Sequence, residues 1–279
     1  MEPALVERIG QVLGHQRRGG LVTDVDGTIS PIVERPELAA VLPQARAALA
    51  SLAERLALVA VVSGRAAADA RRLVGLDGLL YVGNHGLEID GEVVAEARPW
   101  VARLGSVLET LAGELAGQPG VQMETKGITG SVHYRLAPDP VAARARILEV
   151  VGRQALTSGL RLEEGRLVVN LLPPLRVSKG SAVRWLAETY QLDGLVYLGD
   201  DLTDAHAFET LRALRRSGQV QTLSVGVVGP ETPARVRQLA DASVPSAEAV
   251  AALLEALLEW LQASDTMEAG APSTVRSSE

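Results

Sequence analysis

Residues 20–31 read GLVTDVDGTISP, so a short apolar run leads directly into two carboxylates that stand one residue apart. On an extended segment such side chains point to one side and lie about 7 Å apart. At an effective dielectric of about 20, ionised Asp24 and Asp26 would repel each other by about 2.4 kcal/mol. A bound cation or protonation of one carboxyl would offset this repulsion. The alternative is an acidic turn, in which Asp caps the loop while Gly27 and Thr28 turn the chain.

A second acidic segment at residues 194–204 reads GLVYLGDDLTD and again places carboxylates after an apolar run. Open α/β sheets bind ligands at the carboxyl ends of their strands. Asp200 and Asp201 could therefore converge with the first pair on one hard cation, and oxygen ligands favour Mg²⁺. Asp204 has the alternative of stabilising the first turn of the helix that follows.

The composition is that of a globular protein with one large or two modest domains, at 279 residues with 47% hydrophobic content. The chain has no cysteine, which excludes disulfides, a thiol nucleophile and cysteine zinc sites. A net charge of -7 and 3% aromatic residues argue against nucleic-acid binding, which needs basic surfaces and stacking platforms.

The start of the sequence and its apolar runs bear on location. Residues 1–18 are amphipathic and lack the basic and apolar regions of a secretory signal. No run approaches the roughly 18 apolar residues of a membrane span. We expect a cytoplasmic monomer that acts on a small molecule and binds neither membranes nor nucleic acid.

Short apolar runs alternate with longer helical patterns, which predicts an α/β fold with a doubly wound parallel sheet. The first three strands are predicted in residues 20–25, 57–65 and 79–86, each with a polar cluster at its carboxyl end. The same texture returns near residue 175. We therefore predict a discontinuous core domain formed by residues 1–86 and 175–263.

The pattern changes between residues 87 and 174. A hairpin-like pair comes first, and a helix followed by two strands then occurs twice. This order predicts an inserted antiparallel α+β cap domain over residues 87–174. Residues 264–279 are polar and rich in Gly, Pro and Ser, which predicts a disordered tail.

Two further segments offer groups that bind phosphate. Ser63 and Gly64 stand between a predicted strand and a helix, where hydroxyl and N–H groups can meet an anion. Lys179 supplies a point charge at another helix start. Each signal is weak by itself, because Ser63 could be an ordinary helix cap and Lys179 an ordinary surface lysine.

The order DVDGT, SGR, KG and GDDLTD resembles the four motifs of the haloacid dehalogenase superfamily of aspartate-nucleophile phosphatases, over nearly all of the chain to about residue 262. The segments VGNHGLE, ETKGITGSVHYR and GDDLTDAHAF are similar to those of trehalose-6-phosphate phosphatases, which insert a cap between the second and third motifs. The resemblance implies a Rossmann-like hydrolase core and a Mg²⁺-dependent phosphoric monoester hydrolase of trehalose biosynthesis.

The resemblance also implies roles for the acidic residues. Asp24 would attack phosphorus and become an aspartyl phosphate, and Asp26 would serve as general acid and base. Mg²⁺ would be held by Asp24, the backbone carbonyl of Asp26 and Asp200. Asp201 and Asp204 would support this metal site.

The remaining implied roles concern phosphate and sugar. The phosphate would meet Thr28, Ser63, Gly64 and Lys179. The sugar would meet a larger set, namely Asn84, His85, Gly86, Glu124, Lys126, His133, Arg135 and Asn170. As alternatives, the cap strands could simply expose a wet face, and His85 could be a turn histidine with satisfied hydrogen bonds.

One departure from the family pattern affects the sugar. Asn170 and Leu172 occupy places where the family usually has Glu and Arg. A phosphatase for another glycosyl phosphate, such as sucrose phosphate or a glycosyl-3-phosphoglycerate, is therefore the first alternative. The non-enzymatic alternatives are a receiver-like signalling domain and a non-catalytic sugar-phosphate sensor.

Overall fold

The structure is a computed structural model that describes residues 3–14, 18–33, 35–165, 167–230 and 232–269. The α-helices in these ranges are α1 Pro3–Leu13, α2 Pro43–Ala53, α3 Ala67–Val74, α4 Val101–Glu114, α5 Pro140–Ser158, α6 Lys179–Thr189, α7 Leu202–Arg216, α8 Ala234–Leu239 and α9 Ala247–Ala269. The strands are β1 Gly19–Thr23, β2 Leu58–Val62, β3 Leu80–Gly83, β4 Glu88–Ile89, β5 Glu92–Val93, β6 Gln122–Thr125, β7 Gly130–His133, β8 Arg161–Gly165, β9 Val168–Leu172, β10 Gly194–Gly199, β11 Gln221–Val227 and β12 Ala242–Val244.

The larger sheet has eight strands in the order β12-β11-β10-β1-β2-β3-β4-β5. The strands from β12 to β3 are parallel, and β4 and β5 continue the sheet in antiparallel fashion. Adjacent residues of β1 show why its sequence is a continuous apolar run. Leu21 packs in the core on one face of the sheet, and Val22 packs in the core on the other. The predicted doubly wound α/β fold is confirmed.

Helices cover both faces of this sheet. Helices α1, α2, α3 and α9 contribute to the core on one face, and α6, α7 and α8 contribute to the core on the other. Helix α9 carries Glu255 and Glu259 among its apolar residues, and its buried side chains pack in the first of these cores. Within the described ranges, no helix has both the length and the apolar character that crossing a bilayer requires.

The smaller sheet has four antiparallel strands in the order β6-β7-β9-β8. Val132 and Val169 lie opposite each other on β7 and β9, and both are buried in a core that includes residues of α4 and α5. Ser131 and Asn170 also lie opposite each other, with Glu124 in the same row. Because side chains alternate along a strand, this polar row faces away from the helices. The two predicted units of a helix and two strands are present.

The hairpin formed by β4 and β5 corrects the predicted start of the cap at residue 87. Strand β4 pairs with β3, with Ile89 opposite Val82, so the hairpin extends the larger sheet. Asp90 and Gly91 at its turn have φ values of 48° and 89°, which suits a tight two-residue hairpin. An alternating pattern identifies a hairpin but cannot tell which sheet edge it will join. The other predicted domain limits stay predictions.

The C-terminal prediction also needs correction. Helix α9 continues through residue 269, whereas the disordered tail was predicted to begin at residue 264. Extending an existing helix fixes one residue for each hydrogen bond gained, so a polar stretch can prolong it. Residues 270–279 lie outside the described residues. The short elements α8 and β12 were not predicted, because three to six residues carry too little periodicity.

The helical layer on α2 gives a stability prediction. Leu49 is fully buried in the core, so Leu49→Ala should lower the free energy of unfolding by about 2–5 kcal/mol through lost burial and a residual cavity. Leu38 is 63% exposed, and Leu38→Ala should change stability by less than about 0.5 kcal/mol. Urea unfolding of both variants measures the difference, and similar losses in the two would contradict this packing.

Candidate active site

The carboxyl ends of three neighbouring strands bring the predicted phosphate and metal residues together. Strand β1 lies between β2 and β10, and these strands lead into Asp24, Ser63 and Asp200 respectively. The backbone N–H of Asp24 also donates to the carbonyl of Leu198 at 2.9 Å, which fixes Asp24 beside the end of β10. A cleft of about 760 Å³ opens above these strand ends.

Lys179 is the buried centre of this site. Its Nζ lies 2.9 Å from Asp24 Oδ1 and 2.7 Å from Asp204 Oδ1, and its side chain is 3% exposed. Burial opposes the charge, but the two carboxylates outweigh it and raise the pKa of Lys179 above its ordinary value. Lys179 begins α6, where Ser178 provides the cap. It is therefore a buried ion-pair partner and not a surface lysine.

Asp204 uses both carboxylate oxygens within the protein. Its Oδ1 accepts from Lys179 and from the hydroxyl of Tyr197 at 2.6 Å. Its Oδ2 accepts from the backbone N–H groups of Asp200 and Asp201 at 3.1 and 3.0 Å. Asp204 thus caps the first turn of α7, as one of the two sequence interpretations had it. This capping also holds the acidic segment in place.

Asp24, Asp200 and Asp204 each offer an oxygen, and these atoms lie within 4.8 Å of one another. Burial raises the pKa of Asp24 to about 7 against the opposing effect of Lys179, and Asp204 adds to the rise. Burial and the charges of Asp204 and Asp24 also raise the pKa of Asp200 well above its usual range. An all-oxygen set whose charges repel one another suits a hard divalent cation, so these residues fit Mg²⁺.

The turn after Asp24 depends on a glycine. Gly27 has φ of 85°, and a Cβ at this position would lie 2.2 Å from Asp200 Oδ2. Both the left-handed backbone and the close approach of the carboxylate therefore exclude a side chain. Next to it, the hydroxyl of Thr28 donates to Asp200 Oδ1 at 3.3 Å. Thr28 contacts the second acidic segment but does not line the cleft.

Asp26 projects into the cleft and is paired with Arg65, a residue that was assigned no role from the sequence. Arg65 Nε and Nη2 donate to the two oxygens of Asp26, each at 2.7 Å. Arg65 Nη1 donates to Asp69 Oδ2 at 3.0 Å. The arginine of the Ser-Gly-Arg segment could have predicted this pairing, because an arginine side chain can bind a carboxylate with two parallel hydrogen bonds.

Ser63 and Gly64 pack against the turn that follows β3. Ser63 is buried, and its Oγ accepts from the backbone N–H of Arg65 at 3.2 Å. Its carbonyl accepts from the N–H of His85 at 3.0 Å. A Cβ on Gly64 would lie 2.7 Å from the His85 ring. Both residues line the cleft, and the absence of a side chain at Gly64 makes room for His85.

His85 is buried at the base of the cleft and lies in a turn with left-handed backbone, at φ of 59°. Its Nδ1 has no hydrogen-bond partner within the described part of the chain. Burial lowers the pKa of His85 well below its usual range, and the charges of Lys179 and Lys126 add to this. The ring is therefore neutral at pH 7, and it is not the satisfied turn histidine of the alternative interpretation.

Asn84 and Gly86 flank His85 but do not line the cleft, so their role at the sugar stays a prediction. Asn84 is fully buried, and its Nδ2 donates to Glu88 Oε2 at 2.9 Å and to the carbonyl of Lys126 at 3.1 Å. Its Oδ1 accepts from Thr129. Asn84 thus joins the turn after β3 to the loop between β6 and β7. A sequence motif shows that a residue is near a site, but not which way its side chain points.

The polar face of the smaller sheet supplies the opposite wall of the cleft. Glu124 Oε2 lies 3.0 Å from His133 Nε2 and 3.3 Å from Lys126 Nζ. Lys126 Nζ also donates to the carbonyl of Gly64 at 3.2 Å. Although burial opposes it, the hydrogen bond with His133 and the charge of Lys126 lower the pKa of Glu124 to about 2. These side chains form an ordered network over the strand ends.

Two further predicted sugar residues line the cleft. Arg135 Nη1 donates to the carbonyl of Val33 at 2.8 Å and so connects the end of β7 to the loop after Asp26. Asn170 is buried, and its Oδ1 accepts from the hydroxyl of Ser131 at 2.7 Å. Leu172, at the second departure from the family pattern, is buried in an apolar cluster and does not line the cleft.

Solved structures with the same architecture identify the class of fold. The C-terminal domain of C. albicans trehalose-6-phosphate phosphatase matches with a TM-score of 0.74 and 21% identity, over 92% of this chain and 96% of that one. A trehalose-6-phosphate phosphatase related protein matches with a TM-score of 0.73 and 22% identity, over 88% of this chain and 100% of that one. The fold is therefore that of the haloacid dehalogenase-like proteins.

Sequence comparison gives the family. A family model described as Trehalose-phosphatase matches residues 22–242, so the chain belongs to the trehalose-phosphatase family, as its motifs predicted. It is 39% identical to a trehalose-phosphate phosphatase of Mycobacterium avium over 210 residues, which cover 70% of this chain and 52% of that one. It is 33% identical to one of Mycobacterium marinum over 241 residues, covering 79% and 60%. The chain thus spans about half the length of these relatives.

The buried pairs of Asp204 predict a graded loss of stability. Lys179→Met should lower the free energy of unfolding by about 3–5 kcal/mol, because it leaves buried carboxylates without their cation. Tyr197→Phe removes one of four donors to Asp204 and should cost only about 1 kcal/mol. Urea unfolding at pH 7.5 with EDTA compares the two variants, and equal losses would contradict the central place of Lys179.

Proposed function

We propose that this chain is a Mg²⁺-dependent phosphatase that converts trehalose 6-phosphate into trehalose and phosphate through an aspartyl-phosphate intermediate. The observation that carries the proposal is the cleft itself. Asp24, Lys179 and Ser63 form its floor, and the network of Glu124 and Lys126 forms the opposite wall. Phosphate chemistry and sugar recognition thereby face each other across one cavity of about 760 Å³, a usual size for small-molecule sites.

Asp24 is the nucleophile in this proposal. One of its oxygens is held 2.9 Å from Lys179, which leaves the other oxygen to attack phosphorus. The ammonium group of Lys179 and the Ser63 hydroxyl lie where they can stabilise charge on the phosphoryl oxygens. Because Asp204 also holds Lys179, the ammonium keeps its position as the charge of Asp24 is consumed.

Asp24 and Asp200 are the side chains that would hold Mg²⁺, together with the backbone carbonyl of Asp26. Asp201 and Asp204 support them through the first turn of α7. When bound, the ion reduces the repulsion between an anionic nucleophile and an anionic phosphate. The pKa values of Asp24 and Asp200 are raised first by burial and then by neighbouring carboxylates, and this supports the proposal because a bound cation would favour the ionised forms of both groups.

Asp26 is the general acid and base. It gives a proton to the sugar oxygen as that oxygen leaves phosphorus, and it then takes a proton from the water that hydrolyses the aspartyl phosphate. Its side chain is 42% exposed and points into the cleft, where a leaving group and a water molecule can reach it.

The side chains on the opposite wall of the cleft, together with the family match, favour trehalose as the sugar of the substrate. Ionised Glu124 accepts from sugar hydroxyls, while Lys126, His133 and Arg135 offer donors. A second candidate substrate is the phosphate ester of another disaccharide or glycosyl acid. Asn170 favours it, because an amide held by Ser131 replaces the charged residue usual at this position.

The two non-enzymatic interpretations have less support. A receiver-like domain would lack the four-stranded sheet inserted between the strands of the core. A sensor without activity would have no need of an intact Asp24 and Asp26 pair. The cytoplasmic location and the monomeric state remain predictions from the sequence.

A substrate panel tests the proposed activity. We expect phosphate release from trehalose 6-phosphate in Mg²⁺, with kcat/KM at least about tenfold above glucose 6-phosphate, a difference of about 1.4 kcal/mol in transition-state binding. Release should stop with EDTA and return with added Mg²⁺. Asp24→Asn should abolish turnover while the circular dichroism spectrum stays unchanged, because a carboxamide cannot form the acyl phosphate.

Outcomes of the panel separate the candidates. A preference for sucrose phosphate or a glycosyl-3-phosphoglycerate would replace the proposed sugar but keep the phosphatase chemistry. Binding of every ester without phosphate release would support a sensor. Turnover by Asp24→Asn would rule out the covalent route through this residue.

The raised pKa of Asp24 predicts a pH-dependent response to Mg²⁺. A cation binds the ionised carboxylate, so binding must displace a proton below the pKa of about 7. The rise in melting temperature on adding Mg²⁺ should therefore be clearly larger at pH 8 than at pH 5.5. Differential scanning fluorimetry measures it, with Asp77→Asn as a control at an exposed carboxylate away from the cleft. An equal rise at both pH values would contradict this link.

A further inference from the structure

We propose that Arg65 is a positioning residue that holds the carboxylate of Asp26 in the orientation from which it serves the reaction. The proposal rests on the proposed function, in which Asp26 transfers the protons. Arg65 itself neither contacts the phosphorus nor gains or loses a proton.

The contact between the two side chains is a two-point contact. Arg65 Nε donates to Asp26 Oδ2 and Arg65 Nη2 donates to Asp26 Oδ1, each at 2.7 Å. Two parallel hydrogen bonds fix the plane of a carboxylate as well as its distance. Asp26 needs such a restraint, because its side chain is 42% exposed to the cleft.

Arg65 is itself held firmly. Its side chain is 10% exposed, and its remaining amino group, Nη1, lies 3.0 Å from Asp69 Oδ2 in the first turn of α3. Burial opposes the charge, but Asp26 and Asp69 outweigh it and raise the pKa of Arg65 above its ordinary value. The guanidinium therefore stays charged and keeps a fixed position between two carboxylates.

The backbone of Arg65 is hydrogen-bonded to Ser63, which belongs to the proposed phosphate site, and to Asn84. Its N–H donates to Ser63 Oγ at 3.2 Å, and its carbonyl accepts from the N–H of Asn84 at 2.7 Å. One residue thus fixes Asp26 relative to the hydroxyl proposed for phosphate binding and to the turn after β3. Such positioning matters because misplacement of a reacting group by about 1 Å can cost about 10²-fold in rate.

The proposed reaction requires Asp26 to transfer a proton in each of its two steps while it is bonded to Arg65. In the first step an Asp24 oxygen bonds to phosphorus, the bond from phosphorus to the sugar oxygen breaks, and that oxygen takes a proton from Asp26. In the second step water bonds to phosphorus, its proton passes to Asp26, and the bond from phosphorus to Asp24 breaks. Both Asp26 oxygens are bonded to Arg65, so one must be released at each transfer while the other keeps the carboxylate in place.

Two phosphate esters with different leaving groups test the proposal. A sugar alkoxide needs a proton to leave, whereas p-nitrophenolate leaves without one. For Arg65→Gln we expect kcat on trehalose 6-phosphate to fall about 10²-fold, in the range for loss of general acid–base catalysis. The KM should change by less than about threefold, because in this proposal Arg65 acts through Asp26 and contributes no contact of its own to the substrate.

With p-nitrophenyl phosphate, stopped-flow absorbance separates the two steps. Arg65→Gln should release the first equivalent of p-nitrophenol at a rate within about threefold of wild type. The following turnovers should be slow, because water activation still needs an oriented Asp26. A burst of one p-nitrophenol per active site, with trapped aspartyl phosphate seen by mass spectrometry, is the expected signature.

Two matched variants complete the experiment. Arg72 contacts the same Asp69 but is 81% exposed and does not contact Asp26, so Arg72→Gln should leave every rate within about twofold. Arg65→Lys keeps the charge but cannot form the two-point contact, and it should recover less than about a tenth of the lost rate.

Other outcomes would overturn the inference. Equal losses of the first and the later turnovers in Arg65→Gln would assign Arg65 to the phosphate or to folding, and full activity in that variant would remove its role. Wild-type protein that hydrolyses p-nitrophenyl phosphate but not trehalose 6-phosphate would refute only the proposed substrate, since the burst still tests Arg65. Wild-type protein without either activity would refute both proposals.

Discussion

The structure depends on one buried ammonium group, that of Lys179, which forms ion pairs with two carboxylates. Lys179 begins α6, Asp24 follows β1 and Asp204 lies in the first turn of α7, so the ion pairs join three elements at the end of the sheet. A buried charge is tolerated only with partners in good geometry, and this requirement fixes the three elements relative to one another. Tyr197 and two backbone N–H groups then complete the hydrogen bonds of Asp204.

The site contains more carboxyl groups than positively charged groups. Lys179 offsets one charge, while Asp24, Asp200 and Asp204 remain within a few ångströms of one another. Tight packing keeps them there, because a Cβ on Gly27 would overlap Asp200 and one on Gly199 would lie 2.5 Å from Asp204 Cγ. These three carboxyl groups therefore repel one another when they are ionised, and this supports the proposal that the site holds Mg²⁺.

Individual strands and residues show which features of the structure could be predicted from the sequence. Strands β1, β2 and β10 were predictable because each is a continuous apolar run that ends in polar residues, as buried parallel strands require. The hairpin of β4 and β5 was placed in the cap domain, whereas it pairs with β3 of the larger sheet, because its pattern does not show which strand it will join. The sequence placed Asn84 near the sugar, but it could not show that its amide bonds to the loop between β6 and β7. Arg65 stood in a recognised motif, but its partner lies 39 residues away in the chain.

The sequence by itself determined the family, the alternation of strands and helices, and the residue types of the candidate site. These follow from local patterns, since periodicity and motif order are written along the chain. Only the tertiary structure decided which carboxylate is a cap, which histidine ring nitrogen has no hydrogen-bond partner among the described residues, and which arginine binds Asp26. Such assignments depend on distances and directions between residues far apart in sequence, and on burial, which no local pattern records.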